Sequence, residues 1–100
     1  MTELEAYRRE IDAIDGELTR LFLRRMEVTG RVGAYKQAHG LPVLDAAREK
    51  DVLARKAELA EGQAAKADVT ALYETILGLS RRQQRKLVTE AGDEGYARIR

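Results

Sequence analysis

From Glu3 to His39 apolar residues recur at helical spacing. Taken at about 100° per residue, Tyr7, Ile11, Ile14, Leu18, Leu21 and Val32 lie within about 40° of one direction, a single stripe. Gly40 and Pro42 end that run. Asp45 then serves as N-cap to a second run, AAREKDVLARKAELAE, which stops at Gly62. A third run opens near Asp68, carries Val69, Leu72, Tyr73, Ile76, Leu79 and Leu87 on one side, and frays before Gly92. No segment sustains the two-residue alternation of a strand. The pattern predicts an all-α chain of three helices, with a helical domain over 1–90 and a polar C-terminal tail over 91–100.

The length of the first helix constrains the assembly. Roughly 36 residues at 1.5 Å each make a rod of about 54 Å, whereas a compact 100-residue monomer has a radius of gyration near 13 Å. Such a rod leaves its apolar stripe bare. A second copy of the chain is the simplest cover, so the expected assembly is a homodimer with the helices of both chains intertwined.

Several polar residues fall where apolar ones belong. Arg25 and Lys36 point within roughly 20° of one another and into the first stripe. Glu49 stands about 40° from Leu53, on the side of the second helix that should pack, with Arg48 beside it. Ser80 and Gln83 share the face of Ile76, and Gln84 lies at its edge. Arg8 is about 100° from Arg25, next to the stripe. A buried unpaired charge costs several kcal/mol, so these groups need partners. Cations with one carboxylate, amides and a hydroxyl suit a small anion bearing a hydroxyl. On periodicity alone, however, the structural reading of Arg25 and Lys36 outweighs a ligand, because long cationic side chains snorkel from helix seams and buried Arg–Glu pairs can fix register. Glu49 taken alone reads as solvated surface, Tyr7 and Tyr73 as core, and His39 as a residue favourable at a helix C-terminus.

Composition removes other classes. Eighteen Lys and Arg balance 17 Asp and Glu, for a net charge of +1, so no global field draws nucleic acid or an anionic membrane. SRRQQRK is locally basic but lacks interleaved aromatics and reads as an exposed helix face. With no Cys and one His, disulfides, a thiol nucleophile and a protein-built zinc site are not expected. No apolar run approaches the roughly 20 residues of a membrane span, and the charged start MTELEAYRREID is no secretory signal. The expected location is cytoplasmic.

YRREIDAID around Arg8, LFLRRMEVTGRVGAYK through Arg25 and Lys36, LPVLDAAREKDVL through Asp45 and Glu49, and SRRQQ from Ser80 to Gln84 occur together in this order. In that combination the chain resembles the all-helical, type II bacterial chorismate mutases over about Glu3 to Leu87. The resemblance implies an intertwined dimer of three-helix chains that rearranges chorismate, a small dicarboxylate, to prephenate with no cofactor or metal. It further implies that Arg25 and Arg8 bind the carboxylates, with Arg8 coming from the other subunit. Lys36 and Gln84 are then the donors to the ether oxygen of the breaking bond. Glu49 and the backbone at Asp45 bind the ring hydroxyl, Arg48 lines the pocket, Ser80 lies near a carboxylate, and Val32 is an apolar wall. Two rivals stay open: an isochorismate-pyruvate lyase on the same fold, and a helical dimerisation module without catalysis. The dimerisation module predicts that Arg25 and Lys36 pair with protein carboxylates.

Overall fold

A computed structural model of the chain describes the backbone of residues 2–99 and the side chains of residues 2–87. Three helices make up the fold, α1 over Glu3–Ala38, α2 over Ala46–Glu58 and α3 over Gln63–Ile99, and the described residues hold no strand. Thr2 caps α1 by accepting the Glu5 N–H at 3.1 Å, and Glu3 and Glu5 place negative charge at the positive end of the helix dipole. At the other end His39 closes the helix, its Nδ1 2.8 Å from the Tyr35 carbonyl oxygen and its ring stacked on Tyr35. Gly40 then takes φ +65°, so the Leu41 N–H reaches the Lys36 carbonyl at 2.8 Å and the Gly40 N–H that of Gln37 at 3.3 Å. This is a Schellman turn, and it folds the connection back along the end of α1.

Asp45 is the N-cap of α2, as its position suggests, with its carboxylate accepting from the Arg48 N–H at 3.0 Å. The later boundaries differ from the sequence expectation. α2 stops at Glu58 rather than running to Gly62, because its last turn tightens through Leu59 to Lys56 and Ala60 to Ala57 bonds. α3 starts at Gln63 rather than near Asp68, since Gly62, at φ +84°, makes the turn and its carbonyl accepts from Lys66. The helix-forming residues QAAKA are thereby drawn into α3. It also continues past Gly92 to Ile99. The side chains of the expected 91–100 tail lie outside the described residues.

Both α1 and α2 pack on α3, and the two do not pack on each other. The result is a plate of 65 × 31 × 14 Å with a radius of gyration of 18.2 Å, well above the roughly 13 Å of a compact chain of this length. The interior is correspondingly thin. Among the described residues Val52 and Leu77 are the buried apolar side chains, and Ser80 and Gln84 are buried as well. Tyr7, expected in the core, is 56% exposed, and Ile11, Ile14, Leu18 and Leu21 are bare as well. Tyr73 is half-buried. No helix among the described residues is long and apolar enough to cross a membrane.

Candidate active site

The two buried polar side chains of α3 lie one helical turn apart and face α1. Ser80 Oγ donates to the Ile76 carbonyl at 3.0 Å and accepts from Arg25 Nη1 at 2.8 Å. One turn on, Gln84 Oε1 accepts from Lys36 Nζ at 3.1 Å, and Lys36 also donates to the Val43 carbonyl at 2.6 Å. Lys36 thus has one N–H left to give, and the amide of Gln84, its oxygen occupied, keeps its NH2 as a donor. Arg25 and Lys36 are half-buried, and among the described residues neither forms an ion pair. Among the described residues, then, neither cation is satisfied by a carboxylate.

Close contact between α1 and α3 makes this geometry possible. Gly33 is buried, and a Cβ there would stand 2.9 Å from Gln84 Cγ and 3.3 Å from Gln84 Cβ. The glycine that weakens the middle of α1 by up to about 1 kcal/mol is what lets Gln84 reach Lys36. A turn away, Thr29 Oγ1 donates to Gln83 Oε1 at 2.8 Å, and Gln83 Nε2 donates to the Met26 carbonyl at 2.8 Å. Gln83 is thereby explained as a fastener between the two helices.

Arg25, Lys36, Ser80 and Gln84 border one cavity of about 300 Å³. Asp45, Arg48 and Glu49 reach it from the start of α2, and Val28, Val32, Val43, Val52 and Leu77 supply apolar wall. With Arg81 of α3, four cations face two carboxylates around a small hollow, an excess that suits a dianion. Arg48 is turned partly aside, pairing with Asp51 at 3.2 Å on the exposed surface of α2. Of the residues expected in the site, Arg8 is the one this chain does not bring there. It precedes Arg25 by nearly five turns of one continuous helix, about 25 Å along the axis.

Thr29 and Arg81 also border the cavity and escape the sequence reading. Arg81 Nη1 donates to Glu49 Oε1, joining α3 to α2. The signal was present in the spacing: Leu77, Ser80, Arg81 and Gln84 follow the i, i+3, i+4, i+7 rule of one helical face. The more apolar stripe of Leu72, Ile76 and Leu79 looks like the core by composition, yet it lines a second hollow of about 420 Å³ with Leu18, Leu21 and Phe22 of α1.

Similarity to known proteins bears on what this cavity suits. Residues 7–85 match the model of the family described as chorismate mutase type II, and the chain belongs to that family. It is 34% identical over 96 residues to a T-protein of Enterobacter agglomerans, covering 96% of this chain and 24% of that protein. With a T-protein of Haemophilus influenzae the identity is 35% over 99 residues, or 99% of this chain and 25% of that one. A 4-amino-4-deoxychorismate mutase of Streptomyces venezuelae is 38% identical over 58 residues, 58% of this chain and 56% of that protein. The chain therefore spans about a quarter of the length of the T-proteins it matches.

Proposed function

We propose that the chain is a chorismate mutase, acting in phenylalanine and tyrosine biosynthesis as a homodimer in the cytoplasm. The observation that carries this reading is the pair of half-buried cations, Arg25 and Lys36, held among the described residues by neutral groups at the edge of a small cavity. Family membership and the mutase named among the relatives support it.

In the Claisen rearrangement the ether C–O bond breaks as a C–C bond forms, six electrons shift within one ring, and no proton moves. Acid, base and nucleophile are not needed. Two tasks remain: folding the enolpyruvyl arm over the ring, and stabilising the negative charge that grows on the ether oxygen. Arg25, braced by Ser80, grips one carboxylate, and Arg8 of the partner subunit grips the other. Lys36 and Gln84 NH2 donate to the ether oxygen. Such preset donors are worth about 2.7–4 kcal/mol each where water is excluded. Glu49 and the backbone at Asp45 take the ring hydroxyl, Arg48 borders the site, and Val32 shields it.

The dimer has support of its own. The bare stripe from Tyr7 to Leu21 and the apolar hollow between α1 and α3 are surfaces a monomer leaves in water. Sedimentation at micromolar concentration should give twice the mass of the chain; a folded monomer would contradict the assembly.

The assay offers the purified protein chorismate and isochorismate side by side. Loss of chorismate absorbance with prephenate as product supports the mutase. Pyruvate released from isochorismate, with chorismate untouched, assigns the protein to the lyases instead.

A further inference from the structure

The proposed chemistry leaves Arg81 without a role, although it borders the cavity and binds Glu49. The pair is the least exposed among the described residues, at 29% and 21% for the two side chains, against 63% and 41% for Arg48–Asp51. It also joins two helices, whereas Arg48 and Arg55 both pair with Asp51 inside α2.

A carboxylate in this place is a liability if the ligand is a dianion. Glu49 is useful as an acceptor for a hydroxyl, yet its own charge repels two ligand carboxylates held in the same small cavity. Arg48, which borders the same cavity, is engaged with Asp51. Arg81 holds Glu49 by Oε1, and among the described residues Oε2 accepts from no other group.

We propose that Arg81 is a positioning residue of this site, clamping Glu49 by one oxygen and cancelling its charge so that the other oxygen accepts from a ligand hydroxyl beside two ligand carboxylates. The inference rests on the mutase reading above. It gives α3 one consistent task, since three residues on one face each brace a ligand-facing group of another helix. Ser80 braces Arg25, Arg81 braces Glu49 and Gln84 braces Lys36.

The test is a double-mutant cycle in the full chain with chorismate as substrate, and circular dichroism as the check on folding. Arg81→Met keeps the length of the side chain and removes the charge; it should raise KM about tenfold with a smaller change in kcat. Arg81→Lys should recover most of that loss, because a point charge remains. Glu49→Gln combined with Arg81→Met should bind better than Arg81→Met alone, since a neutral amide needs no counter-charge. An unaltered KM in Arg81→Met, or losses that simply add in the double variant, overturns the inference. Should Arg81→Met fold poorly, removing Arg81 in the Glu49→Gln background should change KM by less than about twofold, and a tenfold loss there counts against it. A parent protein that leaves chorismate untouched refutes the mutase reading itself; an active parent with an indifferent Arg81 refutes only this proposal.

Discussion

The two halves of α1 obey the same periodicity and meet opposite fates. From Glu3 to Leu21 only Ala6 and Gly16 are less than exposed, and Leu21 is 64% bare. From Arg25 to Lys36 the helix is pinned to α3 by Arg25–Ser80, Thr29–Gln83 and Lys36–Gln84, with Gly33 buried beneath Gln84. The second half is the more polar of the two along its packing face, yet it is the half that packs. Hydrophobic pattern tells which side of a helix is to be covered; it does not tell which chain covers it. Within this chain, hydrogen-bonding side chains and one glycine hold the contact, and the greasier half is left exposed.

The largest effect is expected from Lys36→Ala, which removes the donor proposed for the ether oxygen. A fall in kcat/KM of at least about 100-fold with helical circular dichroism is the expected outcome, and full activity would take Lys36 out of the chemistry. Gly33→Ala comes next. The added methyl meets the Cβ and Cγ of Gln84 rather than a flexible tip, so α1 and α3 must part. Activity should drop about tenfold as the Gln84 donor shifts by a fraction of an ångström, even though alanine is the better helix former. An active, more stable Gly33→Ala would show that the approach at this point is incidental. Smallest is Thr2→Ala, which removes the cap of the N-terminal half. Thermal or urea unfolding should register a loss of about 1 kcal/mol or less, while kcat stays unmoved.

Much of the fold was legible because its signals are local. Asp45 as N-cap, Gly40 after α1 and the long stripe of α1 all read correctly from spacing and turn chemistry. The ends of α2 and α3 did not, because the tightened turn at Leu59 and the left-handed Gly62 settle a contest among residues that all favour helix. In the site, Arg25, Lys36, Glu49, Ser80 and Gln84 stood out as polar intruders, and the structure brings all five around one cavity. Arg81 did not stand out. Its face is mostly polar, and only the meeting of α3 with α2 reveals it as an inner face. Leu77 was passed over for the same reason, since the stripe through Ile76 is richer in apolar residues while Leu77 is the one buried. Roles that depend on a second chain, Arg8 above all, rest on the family resemblance and on the length of α1.

In the proposed dimer each pocket combines the C-terminal half of one α1 with the N-terminal half of another. Complementation tests it most directly. Arg8→Ala and Lys36→Ala chains, each nearly inactive alone, are unfolded together in equal amounts and refolded. In a mixed dimer one pocket receives an intact Lys36 and an intact Arg8, so activity should return to about a quarter of the unaltered protein's value. A refolded mixture no more active than its two components would contradict a shared site.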